Sequence, residues 1–428
     1  MEKTNAKPGD YVEVSLIKEE YKGTLLEAPQ DEAGIILLKL DSGYNIGIDR
    51  KKILEIKVLR KAIEEKTEIK LSKDNEKPNI AMIITGGTIS SSLDVKTGGV
   101  KWLTSPEKLF QFYPQIFKHV NVLKIETPFM KASENMDFKD WKKIAKSAAE
   151  LLNDDNIKGI IITHGTDTLH YTSATLSFFL RNLNKPVVLT YSQRSSDRAS
   201  SDAALNLECS AIAAISDIAE VMLVGHGDKN DNFCYAMPGT KVRKLHASRR
   251  DAFKVVNSEP IAKISVEYLQ KLSKHNLRNK NKVKLDDKFE EKIALIKFYP
   301  GQNPDILDYY VKNKYKGIII EMTGLGHIAI TSEARLNWLN KLKEVQKKGI
   351  IICAAAQTIY GRLDPMVYSP GRELEKSGII YLKDILSETA FVKLGWVLGH
   401  PEWAKNKNIV KEKMLQNFAN EINERLEE

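Results

Sequence analysis

Two short threonine-containing motifs, each directly after a β-branched run, carry the residue types best suited to chemistry in this chain. The first motif reads Thr-Gly-Gly-Thr-Ile over 85–89, and the second reads His-Gly-Thr-Asp-Thr over 164–168. Such a run predicts a buried parallel strand, and open α/β sheets bind small molecules at the carboxyl edge that follows. The pattern therefore predicts that two hydroxyls and one carboxylate, from Thr88, Thr166 and Asp167, surround one crevice.

The chemistry of such a site depends on how a threonine is activated. A threonine hydroxyl is a weak nucleophile at neutral pH and needs a base or an electrostatic partner. Gly86 and Gly87 would let the backbone turn tightly beside a substrate, and peptide N–H groups there could form an oxyanion hole. A desolvated lysine could complete the set, and Lys244 is a candidate that the residues alone do not select. The alternative is that Thr88 caps a turn and Lys244 is solvated.

Length, charge and cysteine content limit the class of protein. The 428 residues predict two or three domains, and the net charge of +9 permits a polyanionic partner without requiring one. Three cysteines with no Cys-x-x-Cys pair favour neither disulfides nor zinc. No apolar run approaches the roughly 20 residues that cross a bilayer, and the first residues lack the apolar core of a signal peptide. These features predict a cytoplasmic protein with no membrane association.

The first part of the chain differs from the rest. Short alternating segments separated by turn residues predict a small SH3- or Sm-like β-barrel over 1–59. A segment rich in Lys and Glu, 60–78, then predicts a solvated linker. The five predicted strands are Tyr11–Leu16, Gly23–Leu26, Ile35–Leu40, Asn45–Ile48 and Ile53–Val58.

After the linker, strands and helices alternate, which predicts a doubly wound parallel sheet over 79–270. A lysine-rich linker over 271–292 and a smaller α/β domain over 293–428 follow. Asp137 is predicted to cap a helix that ends near Leu152, and another helix is predicted to start at Thr104. Further predicted strands are 186–190, 220–224, 233–237, 294–297, 317–321 and 350–353, and further predicted helices are 197–214, 332–348 and 403–426.

Taken together, these motifs resemble the bacterial-type L-asparaginase/glutaminase family from about residue 80 to the C-terminus. The resemblance rests on the two motifs in order, each after a strand, and on Lys244 nine residues before Phe253. It implies that Thr88 is the primary nucleophile, attacking the side-chain amide carbon of the substrate. It also implies that Thr166, Asp167 and Lys244 form a second set, which positions groups or accepts protons.

The same resemblance implies a set of substrate-binding residues. The segment Ala-Ser-Glu-Asn-Met is similar to the substrate loop of the family, with Ser133 on the α-carboxylate and Glu134 on the α-ammonium group of the amino-acid amide. Gly87 and Gly165 complete the predicted substrate-binding set. A cap or turn role for Ser133 is the alternative.

The N-terminal barrel separates subfamilies, because a free-standing asparaginase has no such module. Barrel, charged linker and body together resemble the glutaminase subunits of archaeal tRNA-dependent amidotransferases. The resemblance implies a homodimer, in which the 323–327 loop reaches the neighbouring site, paired with GatE as a heterotetramer. It implies L-glutamine as substrate, and ammonia passed to GatE for conversion of Glu-tRNA(Gln) to Gln-tRNA(Gln). No metal or cofactor is expected in this chain; ATP and Mg are expected at GatE, and tRNA(Gln) is expected to be reached through the complex.

Competing hypotheses remain open at this point. Segment 91–103 has no tyrosine, unlike the flap of free asparaginases, and Trp102 is its only aromatic residue, which counts against vigorous stand-alone hydrolysis. A free-standing cytoplasmic L-asparaginase and a non-catalytic module whose barrel holds nucleic acid are the alternatives. The choice between glutamine and asparagine is open, because one methylene is worth only ~1–3 kcal/mol. His164 and His170 are interpreted as structural residues and not as metal ligands. Basic runs such as 271–284 are interpreted first as solvated surfaces, and contact with tRNA phosphates is the alternative.

Overall fold

The computed structural model describes residues 5–26, 34–41, 44–62, 74–93, 100–102, 113–195 and 200–425. The elements below are numbered in chain order within these ranges. The predicted helix starting at Thr104, most of segment 91–103 and most of the first linker lie outside them.

The N-terminal unit is an antiparallel sheet of five strands in the spatial order β4-β3-β2-β1-β5. Alternation along the strands puts one set of side chains inside, so that Val12 and Val14 of β1 are buried against Leu38 of β3. All five predicted strands are confirmed, with end points that differ by up to three residues. The strands are β1 (Tyr11–Ser15), β2 (Glu20–Leu26), β3 (Ile35–Leu40), β4 (Asn45–Asp49) and β5 (Glu55–Arg60).

The body that follows is built on an eight-stranded sheet in the order β18-β17-β14-β13-β12-β10-β6-β9. Three short two-stranded pairs, β7 with β8, β11 with β19 and β15 with β16, lie outside that sheet. The strands are β6 (Asn79–Ile84), β7 (Ser91–Leu93), β8 (Val100–Trp102), β9 (Asn121–Glu126), β10 (Ile160–Thr163), β11 (Leu180–Arg181), β12 (Val187–Thr190), β13 (Val221–His226), β14 (Cys234–Pro238), β15 (Val242–Lys244), β16 (Phe253–Val255), β17 (Ala262–Ile264), β18 (Leu269–Lys271) and β19 (Lys284–Leu285). The helices are α1 (Phe138–Leu152), α2 (Leu169–Phe179) and α3 (Ala203–Ile215).

The predicted doubly wound parallel sheet is present over five strands, and three antiparallel strands extend it. Strands β9, β6, β10, β12 and β13 run parallel, whereas β14, β17 and β18 are antiparallel additions. The physical reason is connection length: seven residues, 227–233, join β13 to β14, and a parallel return needs a dozen or more. The five parallel strands are covered on both faces, since Ala81 and Ile83 belong to one apolar cluster and Ile80, Met82 and Ile84 to another.

The predicted helix after Asp137 is confirmed as α1, with Asp137 in a reciprocal capping box with Asp140. The predicted helix 197–214 begins later, at Ala203. Asp202, just before it, accepts hydrogen bonds from the amides of Gln193 and Arg194 and so holds the preceding loop instead of continuing the helix.

The C-terminal unit has a four-stranded parallel sheet in the order β20-β21-β22-β23, covered by helices. The predicted helix 332–348 begins only at Leu339. The prediction of one helix over 403–426 is wrong, because the Asn406 side chain caps a new helix and residues 416–425 are not helical. The elements are β20 (Ile293–Lys297), α4 (Ile306–Lys312), β21 (Gly317–Met322), α5 (Leu339–Lys347), β22 (Ile351–Ala356), α6 (Ser369–Lys376), β23 (Ile380–Tyr381), α7 (Ser387–Leu398), α8 (Pro401–Ala404) and α9 (Lys407–Leu415).

The segment after α9 is held by polar anchors. Glu421 and Lys393 form an ion pair at 2.5 Å with both side chains 0% exposed, and Glu421 also accepts from the amides of Phe418 and Ala419. Thr240, from the N-terminal part of the body, donates its hydroxyl to the carbonyl of Ala419. Burial lowers the pKa of Lys393 despite the adjacent carboxylate. The C-terminal segment therefore ties the two units together. None of the described helices has the length and apolar character needed to cross a membrane.

We expect the Glu421→Gln variant to be strongly destabilised. The substitution leaves the Lys393 ammonium buried without a counter-charge, which typically costs about 3–5 kcal/mol. Denaturant unfolding measures the difference, and Glu402→Gln, at an exposed ion pair with Lys288, is the matched control that should unfold like the unmodified chain. Unfolding of the two variants at the same denaturant concentration would contradict the stabilising role of Glu421 beside Lys393.

Candidate active site

The parallel register brings the two threonine motifs to the same edge of the sheet. Strand β6 pairs with β10 so that Ile84 lies opposite Thr163, and both motifs therefore begin at the same height. Thr85 strengthens the junction, because its amide and its hydroxyl donate to the carbonyl of Thr163 at 3.2 and 2.8 Å. This pairing makes the backbones of the two motifs neighbours, and the convergence of the Thr88 and Thr166 hydroxyls on one crevice stays a prediction.

The backbones of the two motifs approach closely at Gly87. Its φ is +86°, and a Cβ built there would lie 2.5 Å from the amide nitrogen of Gly165 and from the carbonyl carbon and oxygen of His164. Gly86, at φ +117°, approaches the backbone of Lys131 in the same way. Both glycines are thus required by conformation and by space.

Thr88 begins a short 3₁₀ turn, Thr88–Ser90, directly after this contact. Ile89 anchors the turn in the core, and the hydroxyl of Ser90 lies 3.4 Å from that of Thr163. Thr88 itself is half-buried. Ile89 and Ser90 therefore hold the turn against the core, and Thr88 remains partly exposed.

Lys244 lies among the residues of the second motif. Its Nζ donates to Oγ1 of Thr166 at 2.8 Å and to Oδ1 of Asp167 at 2.7 Å. The lysine side chain is 12% exposed and that of Asp167 is 60% exposed. Strand β15 ends at Lys244, and Thr166 and Asp167 lie in the turn before α2, so distant pieces of sequence build this cluster.

This arrangement defines a path for a proton. Because the lysine donates to Oγ1 of Thr166, the hydroxyl proton of Thr166 is free to be donated to another group. The carboxylate of Asp167 accepts a second hydrogen bond from the same amine and orients it. The cluster can therefore hold a proton near Thr166 and exchange it with a reacting group.

Ser133 contacts the second motif directly. Its hydroxyl oxygen accepts from the amides of Asp167 and Thr168 at 3.1 and 3.4 Å, and its carbonyl accepts from the hydroxyl of Thr168 at 2.7 Å. A Cβ at Gly165 would lie 2.8 Å from the Ser133 side chain. Ser133 thus caps the turn before α2, whereas Glu134 is exposed. The substrate-binding roles of both residues stay predictions.

His164 is held by a chain of hydrogen bonds that no motif in the sequence signals. The indole N–H of Trp141 lies 3.1 Å from the Thr172 hydroxyl, which lies 2.9 Å from Nε2 of His164. Because the indole only donates, the Thr172 proton points to Nε2, and Nδ1–H then donates to the carbonyl of Gly165 at 2.7 Å. Burial lowers the pKa of His164 to about 4, in keeping with this neutral tautomer. Trp141 and Thr172 sit on different helices, so local spacing could not have revealed the chain.

Other parts of the described structure are less suited to chemistry. Among the described residues, no group of three or more His, Cys, Asp and Glu side chains is arranged to hold a metal ion. A cavity of about 1590 Å³ is lined by Val221 and Glu220, at the amino end of β13, and by Asn257. It contains none of the predicted site residues and lies at the opposite end of the sheet from the motifs.

Family models match three successive parts of the chain. The N-terminal asparaginase domain matches residues 79–275, and the glutaminase/asparaginase C-terminal domain matches 292–411. The GatD N-terminal domain matches 6–59. Among solved structures, the thermostable L-asparaginase of Thermococcus kodakarensis is similar, with a TM-score of 0.71 and 28% identity over 81% of this chain and all of that one. Fold and site together define an amidohydrolase of the asparaginase/glutaminase class.

Curated relatives refine this class over nearly the whole length. The chain is 45% identical to the D subunit of the glutamyl-tRNA(Gln) amidotransferase of Pyrococcus furiosus, over 97% of this chain and 94% of that protein. It is 47% identical to the corresponding protein of Thermococcus kodakarensis, over 90% and 87% of the two chains, and 39% identical to that of Sulfolobus acidocaldarius, over 99% and 93%. The chain belongs to the family of glutamyl-tRNA(Gln) amidotransferase D subunits.

We expect Gly87→Ala to lower the catalytic rate by about 10²-fold. The added methyl group would meet the His164–Gly165 peptide and force the motifs apart, and a misplacement of 1 Å can cost about 10²-fold in rate. Gly349→Ala is the matched control, since Gly349 has the same φ of +86° with nothing within 4 Å of its Cβ position. The control should lose only about 1–2 kcal/mol of stability from backbone strain. The rate of ammonia release from glutamine is measured for both variants. Equal rates for Gly87→Ala and Gly349→Ala would contradict the close-contact argument.

The neutral buried histidine predicts a pH dependence of stability. Below pH 6.5 the unfolded chain takes up a proton at His164, whereas the folded chain resists protonation until about pH 4. The free energy of unfolding should therefore fall as pH falls, by about 2 kcal/mol between pH 7 and pH 5 from this residue. His164→Asn, which keeps a donor for the Gly165 carbonyl, should flatten the slope by that amount. His246→Gln, at an exposed position, should not, and parallel slopes for all three proteins would refute the prediction.

Proposed function

We propose that this chain is the glutaminase subunit of a glutamyl-tRNA(Gln) amidotransferase, and that its site releases ammonia from L-glutamine. The observation that carries the proposal is the contact of Gly87 with the His164–Gly165 peptide, because it brings the Thr88 turn and the Thr166 cluster to one edge of the sheet. Family membership over nearly the whole chain, including the N-terminal unit, supports the amidotransferase context.

In this proposal Thr88 is the nucleophile. Its oxygen attacks the side-chain amide carbon of glutamine, and the proton of the Thr88 hydroxyl passes by way of the Thr166 hydroxyl to the amide nitrogen. The C–N bond then breaks and ammonia leaves. The cluster of Thr166, Asp167 and Lys244 transfers that proton. The Thr166 hydroxyl accepts a hydrogen bond from Lys244, so its own proton can be donated. Water then cleaves the acyl ester, which returns the Thr88 hydroxyl and releases glutamate.

The substrate and partner assignments complete the proposal. Ser133 and Glu134 bind the α-carboxylate and α-ammonium groups, with the backbone of Gly87 and Gly165 against the substrate. The protein acts in the cytoplasm as a homodimer that pairs with GatE in a heterotetramer and meets tRNA(Gln) through that complex. ATP and Mg are used by GatE, which converts Glu-tRNA(Gln) to Gln-tRNA(Gln) with the ammonia delivered.

We expect Thr88→Ala to abolish glutamine-dependent amidation of Glu-tRNA(Gln) in the reconstituted complex. Removal of the nucleophile blocks formation of the acyl-enzyme, whereas added ammonium salts bypass the site and still support amidation. Thr331→Ala, at an exposed threonine of the C-terminal unit, is the control and should retain both activities. Full glutamine-dependent activity of Thr88→Ala would remove Thr88 from the mechanism.

The same assay separates the asparaginase alternative. Ammonia release is measured from glutamine and from asparagine, with and without GatE and Glu-tRNA(Gln). The proposal predicts that release from glutamine rises when the partner and the tRNA are added. Rapid release from asparagine by the isolated chain, with no response to the partner, would favour a free-standing asparaginase.

A further inference from the structure

Strand β15 presents its side chains to two different surroundings. Lys244 points to Thr166 and Asp167, whereas Arg243 points to the C-terminal unit, as expected for neighbouring residues on a strand. Lys241, two residues before Arg243, shares that direction and pairs with Asp384 at 2.5 Å, with both side chains essentially unexposed. The strand that carries the proposed catalytic amine is therefore fastened to the C-terminal unit by its other face.

Glu388 is the partner of Arg243 in that unit. It lies in the first turn of α7, and its Oε1 is 3.0 Å from Nε of Arg243. The Glu388 side chain is nearly buried, and its Oε2 has no hydrogen-bond partner among the described residues. Burial raises the pKa of Glu388, while the adjacent guanidinium of Arg243 opposes that shift.

His170 lies between the second motif and the same carboxylate. It lies three residues after Asp167 in the first turn of α2, and its Nε2 is 3.9 Å from Oε1 of Glu388. Burial, and then the positive charges of Arg243 and Lys244, lower the pKa of His170 to about 3. His170 is therefore neutral at physiological pH, and the ion pair is between Glu388 and Arg243. At 3.9 Å the neutral ring makes no hydrogen bond to the carboxylate, so the link from Glu388 to the cluster runs through Arg243.

We propose that Glu388 is a positioning residue for Lys244. It acts through Arg243, whose anchored side chain fixes the position of β15. The geometry between Lys244 and Thr166 thus depends on a residue of the C-terminal unit. The inference rests on the proposed glutaminase function, because that reaction is its readout.

The test compares Glu388→Gln with the unmodified chain in the complex with GatE. The amide keeps the size of the side chain but leaves the guanidinium of Arg243 without its counter-charge. We expect kcat for glutamine hydrolysis to fall by about 10²-fold while KM stays within about twofold, since substrate contacts are unchanged. Glu402→Gln, the exposed glutamate of the same unit, is the matched control and should keep both constants.

A second variant keeps the test decisive if Glu388→Gln fails to fold. Arg243→Gln removes the other member of the pair at a position that is 25% exposed, and the variant should show the same loss in kcat. If the two residues act as a unit, the double variant should lose no more than the more damaged single variant. Multiplied losses in the double variant, or a rise in KM equal to the fall in kcat, would overturn the positioning role.

The outcomes also separate this inference from the proposed function. If the unmodified complex releases no ammonia from glutamine, the proposed function fails. If the unmodified complex is active and Glu388→Gln has the same kcat, only the positioning role fails. A reduced kcat in both single variants, with unchanged KM and no further loss in the double variant, supports the inference.

Discussion

The site depends on one steric constraint, the approach of the Gly87 backbone to the peptide between His164 and Gly165. No side chain fits in that gap, and the positive φ of Gly87 would strain any other residue. The approach is possible because β6 and β10 are adjacent parallel strands that end in register. Two turns separated by nearly eighty residues of sequence thus become neighbours, and the backbone itself holds the turn that begins at Thr88 against the second motif.

The position of the amine is governed by a different kind of interaction. Lys244 ends a short strand that belongs to neither large sheet, so the backbone ladder of the body does not hold it. Ion pairs of Lys241 and Arg243 with the C-terminal unit supply the restraint. Buried pairs of this type contribute little net stability, because desolvation offsets the attraction. Their contribution here is to geometry, because each ion pair restrains the position of the strand more specifically than apolar packing would.

The central part of the fold could be predicted from sequence. The β-branched runs before each motif identify β6 and β10, and the capping box at Asp137 marks the start of α1. Hydrophobic periodicity does not reveal the antiparallel direction of β14 or the break at Asn406. Their signals in the sequence are a short connection and a capping side chain.

For the site, too, local features can be predicted from sequence and long-range contacts cannot. Residues within the two motifs are recognisable because the turn chemistry is local. Lys244 needs the family resemblance, since nothing around it in sequence distinguishes it from other lysines. The link from Arg243 to Glu388 spans about 145 positions, and the Trp141–Thr172–His164 chain joins two helices to a turn. Such contacts form only after the units pack, so no pattern along the chain encodes them.

The exposure of Asp167 explains why the cluster would respond to substrate. Its carboxylate is largely in water, where the attraction to a charged amine is weak, whereas Lys244 is mostly buried. A substrate bound over the motifs would exclude water from Asp167 and strengthen its pull on Lys244, because the same charges interact more strongly in a lower dielectric. The amine would then be held most firmly beside Thr166 when the amide is present. The ion pair of Arg243 with Glu388 would restrain the strand that carries Lys244 before the substrate binds.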